Sequence, residues 1–476
     1  MKNFKRTLTL LLVLALCVGC LAGCGGGKDK SKKKPIADSD DVTITVWSGE
    51  AGAQAVYEEL VDEWNATTGD EKNIFINWEV SLDTNKVDVA HQSGQLPHIF
   101  AATTLQRNNI IKQGNAVALD DLPGGKGFVE DFGQIGIEGV TVENGKTYSL
   151  QTRVNTVGLA YNKDLFKQAG IVDENGEAKP PKTLKEVREY AKKISALGDG
   201  IHGFAFPLKF GLGFTVDYGL SSYYDASNLV PENSQKYTDL DNLTVDVSNY
   251  KEMYQWLLDM ESDGSLFPDS LSLDNDMARA YFAAGTIGMI PAVSWDVGVY
   301  TTQFVAECDW DICQYPAPEG RELVSHWNKL GGMNLIGKKA LENPEETMEV
   351  IKFIYSQKVR ATLYERGINL SAKRDVLDVV DKTKLDPRFI KFAEFVVEDA
   401  RYAESETYTV EGLKWSDLFQ KVWMGEMTLD EAMKDYSARA TAALRKAVER
   451  GEYDVERQKK VRRFLAGEDV DISKNK

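Results

Sequence analysis

The chain reads as an α/β protein carrying mostly parallel sheet, and three observations predict it. Residues 42–80 run strand, helix, strand in one short unit, the βαβ pattern of parallel sheet. The same alternation of apolar strand and amphipathic helix returns at 157–194 and again at 287–357. At 476 residues, 43% hydrophobic and 10% aromatic, the chain is long enough for two or three domains with large cores.

In chain order, residues 1–7 carry Lys2, Lys5 and Arg6 and no acid, and residues 8–23 are apolar or small. This is the layout of a secretory signal, and the apolar run falls short of the roughly 20 residues a membrane-crossing helix needs. Leu21-Ala22-Gly23-Cys24 resembles a bacterial lipobox, which implies that Cys24 begins the mature chain and takes a diacylglycerol on its sulfur. Residues 24–41 then read as a flexible tether. Gly25 to Gly27 leave the backbone free, and Lys28, Lys30, Lys32, Lys33 and Lys34 add a basic patch that anionic head groups attract. The expected location is the extracytoplasmic face of a cell membrane, with a Gram-positive surface the best fit.

The folded part opens with VTITVW, 42–47, whose alternation predicts a strand. Val56, Leu60 and Trp64 share one face of the following helix, which Gly69 is expected to end, and IFINWEV, 74–80, is a second strand. VGLAY, 157–161, is a short buried strand. In PPKTLKEVREYAKKI, 180–194, Thr183 and Glu186 form a capping box ahead of an apolar face of Leu184, Val187, Ala191 and Ile194. IGMI, 287–290, is another buried strand. NPEETMEVIKFIYSQ, 343–357, places Asn343 as N-cap and Pro344 at the first helical position. Trp415, Leu418, Phe419 and Val422 form a helical face stopped by Gly425, and Thr428 with Glu431 caps a last helix that turns Leu429, Ala432, Met433, Tyr436 and Ala440 inward. From Glu449 the charged tail is expected to be exposed or frayed.

The net charge of −17 excludes a nucleic-acid partner, which wants a basic face. Four histidines show no zinc spacing, and no GxSxG, Walker A or strand-flanked GxGxxG motif occurs. No metal or cofactor is expected, and binding is favoured over catalysis. Cys308 and Cys313, five apart, read equally as a disulfide or as two buried thiols.

AYNKDLFKQAGI, 160–171, with the helix after it, closely resembles a signature of the bacterial extracellular solute-binding proteins of family 1, the sugar-binding lipoproteins of ABC importers. YFAAGTIGMIPAVSW, 281–295, LGGMNLIGKKALENPEETMEVIKFIYS, 330–356, and WSDLFQKVWMGEMTLDEAM, 415–433, resemble further family segments in the expected order, so the likeness runs from about 42 to about 445. His98 stands where the family usually has Asp, and Gln151 where it often has Pro. The resemblance implies a type II periplasmic-binding-protein fold: two discontinuous α/β lobes, 42–150 with 315–362 and 151–314 with 363–476, joined by crossing strands and closing over a ligand. It also implies a monomer that docks on permease subunits.

Sugar sites combine flat aromatic faces with convergent polar groups. Trp47 ends the first strand at the carboxyl edge where α/β clefts open, and Glu50 follows it. Arg107 lies after the strand HIFAAT. Gln151 and Arg153 fall in the expected hinge, Arg153 being suited to paired bonds with ring hydroxyls or a carboxylate. Trp295, between Ser294 and Asp296, matches the family's ligand-stacking tryptophan. Phe210, Phe214, Asp217 and Tyr218 form a glycine-rich aromatic loop, and Trp327 and Tyr408 complete the candidates. The expected function is carbohydrate binding for import, of an oligosaccharide or modified sugar. A polyamine, phosphate ester or iron chelate on the same fold stays open. So does a surface glycosidase, which needs two carboxyls about 5–10 Å apart.

Overall fold

The strands form where apolar and polar residues alternate or where apolar residues run together. In chain order they are β1 (Val42–Ser48), β2 (Ile74–Val80), β3 (Ile99–Ala101), β4 (Ala116–Val117), β5 (Arg153–Asn162), β6 (His202–Phe204), β7 (Ile287–Val293), β8 (Trp310–Gln314), β9 (Asn328–Gly331), β10 (Asn334–Gly337) and β11 (Leu370–Ser371), besides two small ladders at 142–147 and 234–245. The computed structural model describes residues 35–459 apart from 81–83, 135, 199, 210–233, 236–237, 321–327, 333 and 395–407. Residues 39–476 make up one compact unit, and everything below concerns it. The signal, Cys24 and most of the tether lie outside the described residues.

One sheet has the order β2-β1-β3-β10-β4. β1 pairs in parallel with β2 and β3, whereas β10 runs antiparallel to both β3 and β4. The other has the order β8-β5-β7-β6, with β9 and β11 added to the start of β5. Here only β6 and β7 pair in parallel; β5 is antiparallel to β7, β8, β9 and β11. Both sheets are therefore mixed, not mostly parallel. Parallel strands joined through helices occur at β1, β2 and β3 and again at β6 and β7, whereas β5 and β10 enter their sheets from the opposite direction.

Each sheet has its own core. Ile44, Val46, Ile74, Ile76 and Ile99 pack with Leu150, Ile336, Ile351 and Ile354. On the second sheet Leu159 joins Phe166, Val187, Leu257, Met289 and Phe419, while Ala160 joins Phe282, Ile290, Ile312 and Phe389 on the other face. β5 is thus covered on both sides, which explains its unbroken apolar run in place of alternation.

The sheets meet where β5 begins. Arg153–Thr156 pair with Gly331–Asn328 of β9, Arg153 and Val154 pair with β11, and the chain passes from β9 through Gly332 directly into β10 of the first sheet. Gly332 takes φ +71°, and a Cβ there would stand 1.7 Å from Thr152 Oγ1. Only glycine lets the crossing strands come this close.

Four local expectations resolve here. The helix Gln54–Trp64 does not end at Gly69: it continues through a π turn, Asn65–Gly69, and Asp70–Lys72, stopping at Asn73 with φ +54°. Gly69 serves close approach instead, since a Cβ would lie 2.6 Å from the Ile74 carbonyl oxygen. Asn343 holds the N-cap position of Pro344–Ile354 without a side-chain cap bond. Cys308 and Cys313 are free thiols. The tail after Glu449 packs at least to residue 459: Tyr453 and Gln458 are buried, and Arg457 pairs with Glu143.

Candidate functional site

The parallel pairing of β1, β2 and β3 puts their carboxyl ends on one edge, the side on which open α/β sheets bind ligands. Trp47 is half-buried there, with Lys86 Nζ 3.9 Å from its ring centroid. Lys86 also pairs with Glu79 at 2.8 Å and holds that carboxyl below the usual range. Trp78, in the last half of β2, stacks on Tyr57 with centroids 4.6 Å apart and planes at 19°. Its indole Nε1 is buried without a hydrogen-bond partner.

Glu50 leaves this edge for the crossing strands. Its Oε2 accepts from Arg153 Nη1 at 2.5 Å and from Asn369 Nδ2 at 3.3 Å, which ties together the loop after β1, the start of β5 and the residue before β11. The side chains of Arg153 and Glu50 are 24% and 12% exposed, so the pair is well shielded from water. Burial pushes the Tyr57 phenol up, with Glu50 adding to the effect.

Buried polar atoms with no partner lie at and just before the start of β5: Gln151 Nε2, Arg153 Nε and Asn155 Oδ1 at alternate positions, and Thr156 Oγ1 on the opposite face, with Ser294 Oγ just after β7. Ser294 N donates to the Thr156 carbonyl at 2.9 Å, so the two fully buried hydroxyl side chains belong to neighbouring positions. The Gln151 backbone is held on both sides by Gln134, whose Oε1 accepts from Gln151 N at 2.6 Å and whose Nε2 donates to the Gln151 carbonyl at 3.1 Å. The Gln151 side-chain Nε2 has no partner. Buried polar groups are nearly always satisfied, so each of these unpartnered atoms calls for an explanation.

Trp295 is half-buried directly after Ser294. Asp296 beside it is a strut: one oxygen accepts from Val293 N at 2.7 Å and the other from Arg279 Nη2 at 2.6 Å. Arg107 is also structural. It lies buried in the helix Thr104–Lys112, donates to Asn108 and to the Gly139 carbonyl, and faces Glu143 at 3.9 Å; burial pulls its guanidinium down to about 10. Tyr408 stacks edge-on against Tyr453 in a small cluster on the last helix. Trp327, Asp217, Tyr218, Phe210 and Phe214 lie outside the described residues. His98 is not on the binding edge: it precedes β3, and its Nδ1 accepts from Thr45 N at 3.1 Å.

The structure therefore brings Glu50, Arg153 and Gln151 into one stretch around the crossing, which β5 continues to Ser294 and Trp295. Sequence reasoning missed Tyr57, Trp78, Asn155, Thr156 and Asn369. Trp78 was findable as a tryptophan in the last half of a strand parallel to β1. Asn369 carried no local signal, because only the return of the chain to β5 gives it a role.

The model of the family described as bacterial extracellular solute-binding protein matches residues 47–361. A putative binding protein of Brucella abortus (strain 2308) is 24% identical over 429 residues, covering 86% of this chain and 95% of the relative. The arabinooligosaccharide-binding protein of Bacillus subtilis (strain 168) is 22% identical over 357 residues, 73% of this chain and 76% of its own. Among solved structures, the GacH receptor of Streptomyces glaucescens, determined unliganded and with acarbose, superposes with TM-score 0.63 at 20% identity over 87% of this chain and 99% of that chain. With two sheets, two cores and strands crossing between them, the chain belongs to the bacterial extracellular solute-binding proteins, with the type II two-lobe fold of the sugar-binding receptors of ABC importers.

Proposed function

We propose that the protein is a lipid-anchored receptor that takes up an oligosaccharide or modified sugar between its lobes and delivers it to the permease subunits of an ABC importer. The lobes are residues 42–150 with 315–362, and 151–314 with 363–476; Cys24 carries the lipid, and the receptor works as a monomer on the outer face of the membrane. The observation that carries the reading is the row of unpartnered buried polar atoms from Gln151 to Thr156 and Ser294, ending at the half-buried Trp295. Amide and hydroxyl groups of this kind bond sugar hydroxyls, and an indole face covers the apolar C–H side of a pyranose ring. The similarity to the arabinooligosaccharide-binding protein of Bacillus subtilis and to the acarbose-bound GacH receptor supports the same class.

The test is a thermal-shift screen of the purified full chain in detergent against neutral oligosaccharides, uronates and polyamines. A ligand at 100 times its Kd adds about 2.7 kcal/mol to the folded state, a rise of several degrees in Tm. The expected outcome is a shift with one sugar class that Trp295→Ala removes. A shift with polyamines alone, or none with any sugar, rejects the reading.

A further inference from the structure

We infer that Glu50 is the residue that makes this site select uncharged over acidic sugars; the inference rests on the sugar-receptor reading and sharpens it. Arg153 is the cation on the orphan row, and a free guanidinium there would suit a uronate carboxylate, which it can grip with two parallel bonds. It is not free. Glu50 Oε2 holds Nη1 at 2.5 Å, and Asn369 donates to that same oxygen at 3.3 Å, which fixes the carboxylate in place. The backbone of β9 packs against the guanidinium as well, since a Cβ on Gly331 would lie 2.8 Å from Arg153 Nε.

The other cations named above also face carboxylates. Lys86 is paired with Glu79 at 2.8 Å, Arg279 with Asp296 at 2.6 Å, and Arg107 faces Glu143 at 3.9 Å. Apart from Arg153 Nε, the orphan atoms belong to uncharged side chains, those of Gln151 and Asn155 on the face of Arg153 and those of Thr156 and Ser294 beyond it, none more than 4% exposed. Among the described residues, then, the site offers a ligand uncharged donors and acceptors around a neutralised ion pair. A neutral glycan uses those groups and brings no charge. An acidic glycan must place its carboxylate beside the Glu50 carboxylate in a water-poor setting, where like charges repel strongly. Removing the Glu50 charge releases Arg153 to receive that carboxylate.

The experiment is calorimetric titration of the full chain in detergent, at low salt, with xylo-, arabino- and malto-oligosaccharides of two to five units and with oligogalacturonates of the same lengths. Wild type should bind at least one neutral series, and oligogalacturonates at least tenfold more weakly. In Glu50→Gln the ratio of uronate to neutral affinity should rise at least tenfold, and adding Arg153→Gln should abolish that gain. Arg153→Gln alone leaves Glu50 uncompensated and should deepen the discrimination; this second variant tests the idea independently of how well Glu50→Gln folds. Neutral binding with a ratio that changes less than twofold in both single variants overturns the role of Glu50 while leaving the sugar reading intact, as does a wild-type preference for the uronates. Failure of wild type to bind any of these sugars overturns the sugar reading itself and the inference with it.

Discussion

At Gly332 a single hydrogen in place of a methyl decides whether the two sheets can be joined. The residue combines φ +71° with a Cβ position 1.7 Å from Thr152 Oγ1, so Gly332→Ala must both strain the backbone and push the Thr152 side chain aside. Overpacking and left-handed backbone together cost roughly 2–5 kcal/mol. The unfolding free energy from urea titration should fall by that amount; an unchanged value would mean that the crossing gives way freely. The glycine pair was visible in the sequence as part of a family segment, but its purpose was not, because the partner, Thr152, is far away along the chain. His98 is a second single-residue case. Its Nδ1 must stay unprotonated to accept from Thr45 N, and burial, with Lys339 adding to it, pulls the imidazole down to about 4. The folded value lies below the unfolded one, so the unfolded chain binds the extra proton first. The contribution of His98 is complete above about pH 6.5 and is lost as pH falls towards the folded value of about 4. Tm should therefore drop between pH 7 and pH 4, and His98→Asn should flatten the part of that drop that other groups do not supply. Equal slopes in wild type and variant would remove His98 from the account.

Among the elements, those whose ends are written in nearest neighbours were the most legible. Thr183 accepts from Glu186 N at 3.1 Å and the Glu186 side chain bonds back to Thr183 N, the reciprocal cap that the two residues spell out. The same holds at Thr428 and Glu431. Thr183→Ala should cost about 1 kcal/mol, read as a small fall in Tm with ligand affinity unchanged, since the helix Leu184–Ser195 packs in the core of the second sheet, away from the residues of the candidate site. A change in affinity larger than the change in stability would contradict that placement. Strand existence was legible for the same local reason, as with Ile44 and Val46 buried between the less buried Thr43, Thr45 and Trp47. Strand direction was not. Whether β10 runs parallel or antiparallel to β3 depends on where the chain re-enters the first sheet after a long excursion, and nothing within the segment 334–337 records it. The end of the first helix was misjudged because Gly69 was read as a stop when its job is to let the helix lie against Ile74 and Trp64.

The molecule as a whole is held together by contacts between distant segments, which is why its site was only partly legible. Trp47 and Trp295 advertise themselves by type and by position at strand ends. The Glu50–Arg153–Asn369 junction and the orphan row need the second sheet to be folded against the first before they exist. The charged tail makes the same point. Arg457 follows the last helix, whose inner face packs with the second sheet, yet its guanidinium bonds Glu143 on the hairpin before the crossing, opposite Arg107. The side chains are 16%, 12% and 7% exposed, so Glu143 sits between two cations in a place that water reaches poorly. Removing one partner of a buried ion pair leaves a charge without compensation and costs up to about 3–5 kcal/mol. Arg107 stays within range of Glu143 after Arg457→Ala, so the loss should be smaller, roughly 1–3 kcal/mol, and only weakly sensitive to salt. Glu143→Gln should cost more, because it leaves both Arg107 and Arg457 facing each other without the carboxylate. If the three form one network, Arg457→Ala made in the Glu143→Gln background should cost little or even stabilise, since it then relieves a repulsion. Denaturant titration of the two single variants and the double variant reads this directly. Losses that simply add would place Arg457 outside the network and make the tail a passenger; a strongly non-additive result makes it the strap that ties the end of the chain to the first sheet.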